Sequence, residues 1–151
     1  MVGASRVLHR PWVYAPDSEE KFQRLVDHGA GGRTESFVVC RKTDGAIVGV
    51  INLSEIIRGA LQSAFVGYYG AAGFEKQGYM TEGLDLVIRY AFRTLRLHRL
   101  EANIQPENIR SIKLAKRCGF RKEGFSPKYL RIAGRWRDHE RWAMTAGEMR
   151  S

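Results

Sequence analysis

The most restrictive feature of the chain is an apolar period of 3.6 residues set between two short β-like runs. In TEGLDLVIRYAFRTL, Leu84, Ile88, Ala91, Phe92 and Leu95 recur at helical spacing. GALQSAFVGYY before it alternates as a strand does, and RLEANIQ after it is another short β-like run. A strand-helix-strand connection within one sheet makes its two strands parallel through a right-handed crossover. Upstream, SFVVCRKTDGAIVGVINL carries two β-branched runs around Asp44-Gly45, a dipeptide whose tolerance of positive φ suits a tight hairpin. Antiparallel hairpins feeding a parallel crossover require a mixed sheet. Gly67, inside the third run, suggests a bulge or a close backbone approach.

The remaining elements extend this order. SEEKFQRLVDHG predicts a short helix, with Ser18 as N-cap, Phe22, Leu25 and Val26 on one stripe, and Gly29 as its stop. NIRSIKLAKRCGF predicts a second long helix, capped by Asn108 and ended by Gly119, with Phe120 as the hydrophobic contact beyond it. YLRIAGRWRDHERWAM predicts a closing hairpin that turns at Ala133-Gly134. The predicted order is α, β, β, β, α, β, α, β, β. The class is α/β (α+β), with a mixed, mainly antiparallel sheet flanked by helices. At 151 residues, without internal repeats, residues 1–151 are expected to form a single domain, and the Gly-rich HGAGGRT is too short to divide it.

Bulk properties narrow the function classes. No apolar run is long enough to cross a bilayer, and MVGASRVLHRPW lacks the apolar region and cleavage site of a secretory signal, so the expected location is cytoplasmic. Cys40 and Cys118 belong to no Cys/His cluster with zinc spacing, so reduced thiols and no metal are expected. The net charge of +9 favours anionic partners, whether RNA, acidic surfaces or phosphate-bearing cofactors, without choosing among them.

FEKQGYMTEGL joins the third strand to the long helix, where a strand-loop-helix unit aims unpaired amides and the positive end of a helix dipole at the loop. Gly78 permits close backbone approach, and Thr81 can cap the helix with its hydroxyl beside the same anion. Neither a P-loop nor a dinucleotide fingerprint is written here. On this stretch alone an ordinary helix start, its dipole satisfied by Glu82 and Asp85, is a commoner reading than an anion grip.

In combination, GYMTEGLDLVIRYAF, LHRLEANIQPENIRSIKLAKRCGF, EGF and GRWRDHERWAM resemble the GNAT acyltransferases, in particular their ribosomal-protein alanine N-acetyltransferase branch. The resemblance spans roughly Phe37 to Met144. It implies a GNAT-like sheet with a splayed parallel strand pair at the cofactor site, and acetyl-CoA as acyl donor. The pyrophosphate would be held by the amides of Gln77, Gly78, Tyr79, Met80 and Thr81, with Asn103 also beside the cofactor. Asn108 would meet the pantetheine arm, and Ser111, one turn on, would face the sulfur and protonate the departing thiolate. The wider superfamily writes its loop with Gln or Arg first and Gly or Ala last, where this chain has Glu75 and Met80, and Lys76 would replace the missing cation. Similar proteins begin with a further strand, so the domain is expected to be shortened at its N-terminus. A homodimer, in which a neighbouring chain supplies that edge, is compatible with this.

For the chemistry, backbone amides around Tyr68, Tyr69 and Gly70 are the expected oxyanion donors, and Glu101 and Glu123 are the candidate general bases. Asp138 and His139 are adjacent on a strand and point to opposite faces, so they form no dyad. An α-amine titrates near 7.7–8.0 against about 10.4 for lysine, so a protein or peptide N-terminus needs less help from a base. The activity that the resemblance implies is acetyl transfer from acetyl-CoA to a primary amine, with a protein or peptide N-terminus as the expected acceptor. Two alternatives stand beside it: a basic RNA- or ribosome-binding module using GRWRDHERW, and a GNAT-like protein that binds acyl-CoA without catalysis.

Overall fold

Asp44-Gly45 turns the chain as its composition predicts. In the computed structural model, which describes residues 33–71, 73–74 and 77–150, β1 (Glu35–Cys40) and β2 (Ile47–Ile57) pair antiparallel around it. Gly45 adopts φ 74°, and Arg41 N–H donates to the Ala46 carbonyl at 2.8 Å. The Asp44 carboxylate accepts from Ala46 N–H and from the Arg41 guanidinium, which holds its pKa down at about 2. The helix predicted around Ser18, Phe22 and Leu25 lies outside the described residues.

β3 (Ser63–Gly70) pairs antiparallel with β2. The expected bulge at Gly67 is not there: Gly67 sits in regular register opposite Asn52. The irregularity lies instead in β2 between Ser54 and Ile57, where Glu55 takes φ 48°. A glycine in a strand pattern marks a missing side chain as readily as a bulge, and here it is the missing side chain that counts.

The long helix, α1 (Tyr79–Arg89), continues through a π-helical turn at Tyr90–Thr94 and buries Leu84, Ile88, Ala91 and Phe92 as its period predicts. It starts two residues before Thr81. Its N-cap is Gly78 at φ 81°, with no side-chain cap bond, so Thr81 is the third helical residue rather than the cap. β4 (Arg99–Ile104) then returns parallel to β3. The second helix, α2 (Ile109–Cys118), ends as predicted: Gly119 takes φ 104°, its N–H donates to Lys116 C=O, and Phe120 N–H donates to Ala115 C=O. β5 (Arg121–Ile132) and β6 (Arg135–Thr145) form the closing hairpin, with Ala133 and Gly134 at φ 50° and 81°.

The six strands lie in the order β1-β2-β3-β4-β6-β5, and β3-β4 is the parallel pair. Ile51, Leu53, Val66, Leu100, Ala102, Trp142 and Met144 face α1 and α2 and form the core with Leu84, Ile88 and Ala115. Two glycines let α1 lie close on the sheet. A Cβ on Gly83 would stand 2.7 Å from Val39 Cγ2, and one on Gly49 would collide with Met80 Sδ and the Tyr69 carbonyl. Met80 thus packs its side chain on the sheet and leaves only its amide to the loop.

Candidate functional site

The parallel ladder between β3 and β4 is short. Pairing runs from Ser63–Arg99 to Phe65–Glu101 and stops, while β3 continues to Gly70 and β4 to Ile104. The two strands therefore part, and the gap opens toward the start of α1. Strand alternation decides which amides face it. Ala71 N–H donates to Val48 C=O at 2.8 Å, so Ala71, Tyr69 and Gly67 are the residues that exchange hydrogen bonds with β2. Val66, Tyr68 and Gly70 direct their main-chain groups the other way, toward the gap. Of the three residues expected to supply oxyanion donors, Tyr68 and Gly70 have amides on the gap side, and Tyr69 turns its amide to β2.

The Tyr68 side chain crosses to α2, where its hydroxyl donates to the Ser111 carbonyl at 2.8 Å. Burial, the dominant cause, holds this phenol well above its ordinary range, so it stays a neutral donor. Replacing it by phenylalanine removes the tie between β3 and α2. The expected loss is about 1 kcal/mol, or a melting temperature lower by roughly 2–4 °C, measured by calorimetry.

α1 closes the site from one side. The N–H groups of Gly78, Tyr79, Met80 and Thr81 precede the first helical bond, made by Glu82 N–H to Gly78 C=O at 3.1 Å. A Cβ on Gly78 would meet nothing within 4 Å, so space lies open against these amides. Gln77 folds back, its Nε2 donating to Gly73 C=O at 3.3 Å. Two cations flank this helix start, and neither was legible in the sequence. Arg41, from the β1-β2 turn, lies 5.1 Å from the centre of the Phe74 ring, and its hydrogen bond to Asp44, followed by one to Tyr79, raises its pKa. Arg117, at the end of α2, donates to Thr81 Oγ1 at 3.4 Å. Both come from elements distant in sequence, so no local motif announces them.

α2 presents its own N-terminus to the site. Asn108 caps it, accepting Ser111 N–H at 3.3 Å, so both predicted residues share the first turn. Cys118 is buried at the α1-α2 contact, where burial, reinforced by Asp85, pushes its thiol up to about 12, and it is no nucleophile.

The two candidate bases come together, on one arginine. Arg99 donates to Glu101 Oε1 at 2.7 Å and to Glu123 Oε2 at 3.0 Å, and Arg121 joins Glu123 to Glu148. The hydrogen bond from Arg99, then that from Arg121, holds Glu123 down at about 2. A carboxylate so stabilised as an anion is a poor proton acceptor at neutral pH. Since its pKa is depressed on folding, Glu123 contributes stability above its ordinary value of 4.5, and that contribution is lost as pH falls from there toward 2. Thermal melts across this window are expected to decline, and Glu123→Gln to flatten the decline.

Asn103 lies two residues past Glu101 on the face of β4 turned away from α1 and α2, so its side chain is not on the side of the helix start. Its Oδ1 is buried without a hydrogen-bond partner, as are Asn52 Oδ1 and Ser36 Oγ. His139 is buried on the same face, its Nδ1 2.9 Å from the Arg137 carbonyl, whereas Asp138 accepts Lys128 N–H on the other. At the hairpin end, Trp136 is 60% exposed. Among the described residues no group of three or more His, Cys, Asp or Glu is arranged to hold a metal ion, and no helix is long and apolar enough to cross a membrane.

Residues 2–121 match the acetyltransferase (GNAT) domain family model. The chain belongs to this family. Within it, the chain is 43% identical over 99 residues to the [ribosomal protein uS5]-alanine N-acetyltransferase of Escherichia coli, covering 66% of this chain and 51% of that protein. It is 42% identical over 104 residues to the probable N-acetyltransferase YjcK of Bacillus subtilis, covering 69% and 58%. The aligned segments thus span about half the length of these relatives. Mycobacterium smegmatis RimJ, solved in complex with CoA-disulfide, superposes with a TM-score of 0.84 at 31% identity over 98% of this chain and 75% of that one. The GNAT architecture expected from the sequence motifs, with its splayed parallel pair, is the one observed.

Proposed function

We propose that this GNAT domain transfers an acetyl group from acetyl-CoA to a primary amine, and that the amine is the N-terminus of a protein or peptide. The observation that carries this reading is the gap between β3 and β4, which opens onto the uncommitted amides of Gly78–Thr81 at the start of α1. A helix N-terminus with open space at a glycine suits a pyrophosphate, and Arg117 adds positive charge that Glu75 does not supply, while Arg41 beside it is already paired with Asp44. Asn108 and Ser111 stand at the start of α2 to hold the pantetheine arm. When bound, acetyl-CoA supplies the acyl group already activated as a thioester.

The chain's own contributions are orientation and charge. The main-chain N–H of Tyr68 faces the place where negative charge develops on the carbonyl oxygen. Ser111 Oγ is the proton donor to the sulfur. With Glu101 and Glu123 engaged by Arg99, the acceptor must arrive as a neutral amine, which an α-amine does far more readily than a lysine at pH 7. The same ion pairs disfavour a polyamine acceptor, since they occupy the carboxylates of this face. Unpaired Cys40 and Cys118 accord with a cytoplasmic setting.

Two experiments bear on this. Ser111→Ala is expected to lower kcat by about 10²-fold or more with little change in CoA affinity; unchanged single-turnover transfer would make the serine structural. Lysine-containing peptides with free and blocked N-termini, offered in competition and read by mass spectrometry, are expected to be acetylated at the free N-terminus. Equal turnover of the blocked peptides at lysine would overturn the α-amine assignment. Absence of transfer together with RNA binding at Trp136 would favour the binding-module reading.

A further inference from the structure

The strand registers align one row of residues across all six strands. Ser36 on β1 faces Asn52 on β2, which faces Gly67 on β3; Asn103 on β4 faces Arg141 on β6, which faces Gly124 on β5. Between the two halves, the β3-β4 ladder ends at Phe65–Glu101, so its next same-face position would set Gly67 beside Asn103. The row therefore crosses the sheet at the mouth of the gap, on the face away from α1 and α2.

Its chemistry is unusual. Ser36 Oγ, Asn52 Oδ1 and Asn103 Oδ1 are all buried without a hydrogen-bond partner, although such an atom costs about 1–3 kcal/mol. Between the two asparagines stands Gly67, where a Cβ would meet nothing within 4 Å. Arg141 does not serve this space: its guanidinium lies against Gly124, where any Cβ would strike it, and donates to Ser126 Oγ. Asn52 and Asn103 are two strand spacings apart, about 10 Å between backbones before the strands part. Two partnerless amide oxygens, both shielded from solvent, thus belong to strands on either side of an exposed glycine beside the gap.

We infer that Asn52 and Asn103 are the positioning residues for the acceptor amine, which sits over Gly67 and donates one N–H to each Oδ1. This rests on the acetyltransferase reading and adds the acceptor subsite to it. A neutral primary amine has two N–H groups and one lone pair. With both N–H groups given to the asparagines, the lone pair is left to face the gap, where the thioester is to be attacked. An ammonium ion has a third N–H in that place and no lone pair. The pair of oxygens selects the orientation that reacts, without taking a proton itself, in keeping with carboxylates already held by arginine.

The test has a binding arm and a kinetic arm. The side-chain amide resonances of Asn52 and Asn103, assigned by single substitution, are followed by NMR while the full chain is titrated with an alanine-starting peptide amide, its N-terminus free or acetylated. Shifts of both resonances with the free peptide alone are expected. In turnover, Asn52→Ala and Asn103→Ala are each expected to raise the acceptor KM by about tenfold while leaving CoA affinity unchanged. Asn52→Asp keeps an acceptor oxygen and recovers binding, but its charge favours the ammonium form, so the acid limb of the rate profile moves up by about one pH unit. A free peptide that binds without moving these resonances, or that does not bind, overturns the inference, as does a fall in CoA affinity in both alanine variants. Shifts as expected with no acetyl transfer would overturn the acetyltransferase reading and leave the amine site standing.

Discussion

Gly78→Val is expected to weaken CoA binding by about 100-fold or more, the equivalent of about 2.7 kcal/mol. Two effects act together. Gly78 holds φ 81°, which a β-branched residue adopts only under strain of about 1–3 kcal/mol. Its Cβ would also project into the open space against the first amides of α1, where the anion is to sit. Losing even one or two hydrogen bonds to a charged group, at about 1.5–3 kcal/mol each, accounts for the loss. Gly78→Asn separates strain from occlusion, because asparagine tolerates positive φ yet fills the same space. It is expected to melt near the parent temperature and still bind CoA poorly. Calorimetry showing parental affinity in either folded variant would remove α1's N-terminus from the site.

Gly83→Leu has the largest expected effect on stability. Gly83 is buried in α1, and even a methyl group there would stand 2.7 Å from Val39 Cγ2 and 3.4 Å from Ile51 Cδ1. A helix interior ordinarily favours alanine over glycine by about 1 kcal/mol, so the position is held by packing. Overfilling it costs about 1–3 kcal/mol, a fall in melting temperature of roughly 2–12 °C. Since Val39 cannot move without disturbing β1, α1 must lift, and its N-terminus lifts with it. CoA affinity should therefore fall alongside the melting temperature. A variant as stable as the parent would show that α1 can shift freely on β1 and β2.

The elements that were legible in the sequence are those whose signals are local. Asp44-Gly45 and Ala133-Gly134 turn hairpins through their own backbone preferences, and Asn108 and Gly119 cap α2 with bonds inside one or two turns. The crossover followed from the 3.6 period of Leu84, Ile88 and Ala91 between two strands. What sequence reasoning missed depends on register or on distant elements. Gly67 read as a bulge because only the pairing with Asn52 shows that its strand is regular. Thr81 read as a cap because hydroxyl residues favour that place, but Gly78, three positions earlier, is the N-cap from which the helix starts. Arg41 and Arg117 reach α1 from opposite ends of the fold. Glu101 and Glu123 looked available as bases until the sheet brought Arg99 between them. The partnerless amide oxygens of Asn52 and Asn103 share a row only once all the strands are in place.

The proposed function stands on one step, the movement of an acetyl group from acetyl-CoA to an amine nitrogen across the β3-β4 gap. A single-turnover measurement tests it most directly: the full chain, isotopically labelled acetyl-CoA and a peptide with a free N-terminus, quenched over time and sequenced by mass spectrometry across a pH series. The predicted result is label on the N-terminal nitrogen, with a rate that rises as pH passes the amine's own pKa, near 7.7–8.0. Label on no amine at any pH, with the acetyl-CoA intact, would contradict it.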